Sequence, residues 1–468
     1  MNNTNQLNRS LGLKLVVVVV IGNIIGSGVY KKVAPMTDAL HSSGWVLICW
    51  VLGGIISLFG ALSNAEVAGL LANTGGEYIY YQKIYNKFFS FMFGWSLFTV
   101  IQTAAISALA FVFAESLNHV VHLPAILDSW KNVSIGGVFY PFIDFNVKLT
   151  AIILIIILTW INNRGVKMGA GVSSAVLLLV FGSLLLIVGF GLTSGHTNIP
   201  QAFEMKTFDS SAVTFSGVFT AMLAAFWAYQ GWASVGYVGG EIKEANKNIP
   251  RGIAIGIFSI IVLYLLTNTT YLSLLSQEKI ESIYKAGDQI TAVEAVRSFW
   301  GEYGALFISV LIAVTTLGCT NATILTSSRI YYAMAREGMF FPKVSRLNEK
   351  QAPSNSLTYQ AVWACLLVLS GTFDQLTDMI IFAVFIYYGA TAFGVFILRK
   401  KMPDAPRPYK VWGYPIVPAI VVLFSAVLFF NTIYARPREA AIGMALMLTG
   451  VPMWFYFKNR MKKTPQNL

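Results

Sequence analysis

The feature that most constrains this chain is a succession of twelve apolar runs of membrane length, at about 11–35, 45–71, 88–117, 148–166, 168–193, 211–239, 252–274, 303–333, 356–372, 375–398, 414–434 and 440–457. A hydrocarbon core about 30 Å thick takes about 20 helical residues to cross. Twelve such runs use most of the 468 residues, and with 56% apolar and only 12% charged side chains no separate soluble catalytic domain fits. Within lipid each backbone polar group needs a partner inside the chain, which a helix supplies. The expectation is an all-α polytopic membrane protein of twelve transmembrane helices in a single domain, embedded in the bilayer. Met1–Ser10 is polar and the first run lacks a cleavage site, so no signal peptide is read there.

Net charge is +12, and its distribution decides what it means. With the N-terminus placed in the cytoplasm, 23 of the 33 Lys and Arg fall in inner segments and 10 in outer ones. Acidic residues split 7 inside and 14 outside. That asymmetry follows the positive-inside rule, so the expected location is the cell membrane with both termini cytoplasmic. The basic charge is spent on topology, and no nucleic-acid partner is expected. Cys49, Cys319 and Cys365 all lie in apolar runs, and the four histidines fall between runs or at their ends. Neither a disulfide framework, a metal cluster nor a nucleophile–base pair is visible, so no cofactor, no metal and no enzymatic activity are expected.

Two runs are broken at matching places. The first is interrupted at Gly22-Asn23-Ile24-Ile25-Gly26-Ser27-Gly28 and the sixth at Trp227-Ala228-Tyr229-Gln230-Gly231-Trp232, about 203 residues later. Each glycine inside a helix costs about 1 kcal/mol against alanine, and three within seven residues favour unwinding. Because each unit of about 11–193 and 211–398 holds five runs, the second must enter the membrane from the opposite side, giving an inverted repeat with two further helices at about 414–457. Small-residue packing of unbroken helices is the alternative. Paired breaks mark a binding site. A half-helix starting near Gly28 aims N–H groups at the cavity, with the Ser27 hydroxyl, and suits a carboxylate. Carbonyls of Trp227, Ala228 and Tyr229, freed where the other half-helix ends, suit an ammonium group. A solute carrying both groups a few ångströms apart is an α-amino acid.

These segments, together with Gly240-Glu241-Ile242-Lys243, Asn248-Ile249-Pro250-Arg251, Asn321, Thr326-Ser327-Ser328-Arg329, Ala335-Arg336-Glu337-Gly338 and Pro406-Arg407-Pro408-Tyr409, resemble the amino acid–polyamine–organocation superfamily, nearest its L-type amino acid transporter branch. The resemblance covers almost the whole chain. It implies the LeuT-like fold with helices 1 and 6 broken, the substrate carboxylate on the N–H groups of Ser27 and Gly28, and the amino group on carbonyls of Ile24, Trp227, Ala228 and Gln230. Gly26, Tyr229 and Gly231 complete the implied site, and Trp227 aligns with the aromatic that closes over the substrate. The sequence departs from the family twice. Val180 stands where relatives commonly carry a lysine, which leaves the coupling ion open. Residues 118–147 contain no cysteine, so no disulfide-linked heavy chain is expected.

Glu66 and Glu241 are acidic residues on the basic inner side, candidates for an inner gate or for plain ion pairs. Gln102, Asn321, Thr323 and Thr326 are polar residues within apolar runs, read as cavity or helix-contact groups; a sodium site on the Thr323, Thr326 or Ser327 hydroxyl is the lesser reading. The sequence therefore points to a secondary transporter of neutral L-amino acids, a permease or exchanger. The alternatives are a transporter of cationic amino acids or polyamines and a receptor that binds an amino acid without moving it.

Overall fold

A computed structural model describes residues 12–71, 76–164, 172–207, 213–232, 242–287, 289–407 and 409–463. Every one of the twelve apolar runs contains a helix, and no strand occurs among the described residues. Eight helices are long and apolar enough to cross a membrane: Ser43–Leu70, Lys87–Val121, Phe145–Asn163, Lys247–Leu274, Thr291–Arg336, Phe373–Lys401, Ile416–Ala435 and Pro437–Met461. The architecture is thus that of an all-helical, polytopic membrane protein. The remaining apolar runs give shorter helices, among them Leu13–Ile24, Phe215–Tyr229 and the 17-residue Ser354–Ser370.

Local chemistry sets where these helices start and bend. Thr372 accepts from the Gln375 N–H while the Gln375 side chain accepts from the Thr372 N–H, a reciprocal cap on Phe373–Lys401. Thr214 caps Phe215–Tyr229 and Asn86 caps Lys87–Val121 by the same logic. Gly301, at φ +67°, kinks the 46-residue Thr291–Arg336 helix. Inside Lys87–Val121 the turn Leu97–Ile101 widens to π geometry and delivers Gln102.

The helices pack around the two short broken ones. Ser43–Leu70 runs behind the second break, and its Gly53 and Gly60 let the rings of Tyr229 and Trp232 approach to 3.4 and 3.1 Å of where a Cβ would stand. Tyr229 and Tyr264 close on Trp50 in edge-on contacts, which fixes the rear wall.

Candidate functional site

The first half-helix, Leu13–Ile24, ends in extended backbone at Ile25, and helix resumes at Gly28. Helices Gly28–Lys31 and Val33–Leu40 meet at Lys32, itself in helical geometry, so they continue one another. The second half-helix, Phe215–Tyr229, ends at Gln230 in extended backbone and Gly231 at φ +118°, a conformation only glycine adopts freely. The first expected break is therefore present, and the sixth-run helix ends where the second was expected, with residues 233–241 beyond it outside the described residues.

The two elements also cross. A Cβ on Gly28 would lie 2.6 Å from the Ala228 Cα and 3.0 Å from its nitrogen. Gly231 is pressed against the Asn23 carbonyl, with the Ile24 nitrogen beyond it. Each break thus has a glycine that seats the last turn of the other's half-helix. The missing side chain of Gly28 leaves room for Ala228. Gly26 behaves differently: a Cβ there meets nothing nearer than the Ile24 carbonyl at 4.0 Å, and its φ is ordinary. The fold does not need that glycine.

The other predicted residues take distinct places. Ser27 is buried, and its Oγ accepts from the Trp227 Nε1 at 3.3 Å, so the indole lies across the first break. The Ala228 carbonyl accepts from the Tyr264 hydroxyl at 3.0 Å and the Trp227 carbonyl from the Gln230 N–H at 3.4 Å. Each keeps one lone pair, so the second break is less bare of partners than its sequence implies. Tyr229 turns its side chain away, donating to the Trp50 carbonyl at 2.9 Å. Gln230 is half-buried and lines, with Phe226, Trp232, Phe385 and Tyr388, a narrow cavity of about 10 Å³. Asn321 is a helix-contact group, accepting from the Asn162 side chain at 2.7 Å. Gln102 is half-buried. The Thr323 and Thr326 hydroxyls donate back to their own helix, and Ser327 bonds both Thr323 and Gln360. Val180 is buried beside Ser183, whose Oγ shares a 2.7 Å hydrogen bond with the Tyr30 hydroxyl.

Glu66 sits at the Arg399 end of the bundle in a dense ion pair. Arg399 binds it through two nitrogens at 2.9 and 2.8 Å, Arg407 approaches to 3.6 Å and the Val411 N–H donates at 2.7 Å. Glu241 lies outside the described residues.

A second charged cluster closes the other end, and the sequence reading missed it. Lys31 and Lys32 look like outer-loop charges, yet they are 6% and 0% exposed. Lys31 pairs with Glu115 at 2.7 Å; Lys32 pairs with Asp374 and Thr377, both at 2.6 Å. Both ammonium groups sit near the Phe373 ring, 4.9 and 4.8 Å from its centroid, and Phe373 meets Trp227 edge-on at 6.1 Å. The signal was available: two lysines a few residues past a break, within an apolar run, require buried partners. At the other side of the break Gly22 and Asn23 are exposed. The lysine cluster covers the break on one side.

Comparison of the sequence with known proteins points to one kind of protein. The sequence profile of the amino acid permease family matches residues 11–457. The serine/threonine exchanger SteT of Bacillus subtilis (strain 168) is 30% identical, over 97% of this chain and 98% of its own. The large neutral amino acids transporter small subunit 2 of Homo sapiens is 28% identical, over 96% of this chain and 80% of its own. The b(0,+)-type amino acid transporter 1 of Homo sapiens is 26% identical, over 97% and 89%.

Proposed function

The chain belongs to the amino acid permease family, and from that premise we propose that it exchanges neutral L-amino acids across the cell membrane by alternating access. The relatives named above are transporters and exchangers of amino acids by name. Twelve spans, arranged as two inverted units of five plus two, with both termini in the cytoplasm, complete the reading.

The observation that carries it is the space beside Gly26. The two elements cross with glycines that packing demands at Gly28 and Gly231, while at Gly26 a Cβ would meet no atom of the described residues nearer than 4.0 Å. A glycine that the fold can spare, between two unwound helix ends, is there for a ligand. The carboxylate goes to the N–H groups of Ser27 and Gly28, and the ammonium to carbonyls of Ile24 and of the Trp227–Gln230 segment. Trp227 closes over the bound solute from the lysine side. Lys31 and Lys32 with Glu115 and Asp374 form the outer seal, and Glu66 with Arg399 ties the inner end. No disulfide-linked partner enters this reading, since residues 118–147 contain no cysteine. Val180 stands where relatives commonly carry a lysine, which leaves the coupling ion open, and the exchanger among the relatives supports exchange.

Uptake of a labelled amino acid into proteoliposomes, competed by a panel of unlabelled ones, tests the proposal. Neutral amino acids are expected to compete, uptake is expected to require amino acid inside the vesicle, and arginine and putrescine are expected to compete poorly. Gln230→Glu supplies a countercharge of nearly the same shape and is expected to raise the ratio of arginine to leucine uptake. Preference of the wild type for arginine overturns the neutral-substrate reading; an unmoved ratio in the variant removes Gln230 from the site. Absence of transport alongside tight binding would make the protein a receptor.

A further inference from the structure

Between the spans Lys87–Val121 and Phe145–Asn163, at the end of the bundle that holds the lysine cluster, the chain runs through residues 122–144 without a membrane-length helix. Only Asp128, Lys131 and Asp144 among these 23 residues are charged. A connection of this length on a protein surface is ordinarily polar, because water is what it meets. Here Ile126, Leu127, Trp130, Val133, Ile135 and Val138 are all exposed, Ile135 by 64%. The segment is nonetheless fixed. Ile135 and Phe139 exchange backbone hydrogen bonds at 2.8 and 3.2 Å, and the Trp130 ring meets Phe142 edge-on at 5.4 Å. Arg438 donates twice to the Val138 carbonyl, at 3.2 and 3.0 Å, and once to the Ser370 carbonyl at 3.1 Å. Lys148 donates to the Tyr140 carbonyl at 2.7 Å. Two cations thus hold the backbone of this segment while its apolar side chains stay uncovered.

We propose that residues 122–144 lie on the bilayer, with these apolar side chains seated in the phospholipid headgroup layer at that end of the molecule. Three features favour lipid over a second protein. The span that follows presents one exposed stripe at helical spacing, Ile153, Ile156, Ile157 and Trp160, and the exposed Val121 and Ile143 carry the apolar surface from the spans into the segment at its two ends. Charge is nearly absent, and Asp128 and Lys131 stand 3.5 Å from each other, whereas a protein interface is rimmed by polar groups. Trp130 and Tyr140, both exposed, are the residue types that settle at the boundary of hydrocarbon and water. Backbone chemistry limits the depth. Irregular chain is not tolerated within hydrocarbon, so the segment rests among the headgroups and its side chains reach about 5–10 Å inward. Through Lys148 and Arg438 it is bonded to Phe145–Asn163, to Pro437–Met461 and to the end of Ser354–Ser370. None of these is a broken helix, so the lipid anchor holds a frame against which the broken helices move.

The test uses the full chain in phosphatidylcholine vesicles. Val133→Cys, Ile135→Cys and Lys131→Cys are each made with Cys49, Cys319 and Cys365 replaced by alanine, and the rate of modification by a charged, water-soluble thiol reagent is measured. Lys131, with its exposed side chain, is the reference for the water side. Modification at 133 and 135 is expected to be at least about tenfold slower than at 131, the order by which burial of one such side chain favours lipid over water. Wild-type protein gives a second measurement that needs no substitution. Phosphatidylcholine carrying a photoreactive group near its glycerol backbone is expected to mark residues 122–144 as well as the spans. Equal rates at the three positions place the segment in water and overturn the proposal. Adducts on the spans without adducts on the segment overturn it too, and with slow modification they assign the patch to another protein or to a second copy of this chain. Either outcome leaves the amino acid exchange reading intact, which uptake measurements decide on their own.

Discussion

Glycines near the two breaks look alike in sequence and are not alike in role. Gly26→Ala adds a methyl group that meets no atom closer than 4.0 Å, at a backbone angle alanine tolerates, so the variant is expected to fold with wild-type thermal stability. Amino acid binding is expected to fall at least tenfold, because the methyl enters the ligand's space. Gly231→Ala meets both a positive φ and the Asn23 carbonyl, and is expected to lower stability by several kcal/mol. Melting temperature and equilibrium binding, measured on the pair, separate the two roles; wild-type binding in Gly26→Ala would return the first break to a packing feature. Another residue makes stability depend on pH. Glu77, in the short Gly76–Ile84 helix outside the membrane spans, is buried, and burial pushes its carboxyl up to about 7. Its protonated form is the one the fold favours, so its contribution is complete below about pH 4.5 and is lost as pH rises toward 7. Glu77→Gln is expected to stabilise the protein at pH 8 by about 3 kcal/mol and to change little at pH 4.5, read as thermal unfolding at the two pH values.

At the scale of elements, the helix after the first break is held by buried ion pairs as well as by apolar contact. Removing one partner of a buried ion pair costs about 3–5 kcal/mol, chiefly because the other charge is left behind. Lys32→Met is therefore expected to destabilise the sealed form strongly, while Lys32→Met combined with Asp374→Asn recovers most of the loss; a double-mutant cycle in thermal unfolding measures the coupling. Additive effects would show that the pair contributes little. The seal also shows where sequence reading stops. The two breaks were legible because glycine clusters act locally, and the complementary helix ends follow from backbone chemistry alone. The partner of Lys32 lies 342 residues away, that of Asn321 is Asn162, and the hydroxyl on the Ala228 carbonyl comes from Tyr264. No spacing rule links such residues. Sequence supplied the polar atoms inside apolar runs and left open whether each faced a cavity or a neighbouring helix.

Across the whole molecule, the clearest expectation is orientation. With 23 Lys and Arg assigned to one face and 10 to the other, a fluorescent protein fused after Leu468 is expected to fluoresce in the cytoplasm, and alkaline phosphatase inserted between residues 122 and 144 to be active outside. The reverse pattern would invert the assignment of seal and inner tie. The crossed breaks bear on how such a molecule holds a concentration gradient. Gly28 sits on Ala228 and Gly231 on Asn23, so the two interrupted elements are seated against each other at two points, one on each side of Gly26. A displacement that carries the Lys31 end of the first helix outward pulls on the second helix at Ala228, and one that swings Leu13–Ile24 pulls on it at Gly231. Two hooks on one chain make the motions at opposite faces mutually dependent, and a carrier built this way is protected from leaking its own cargo.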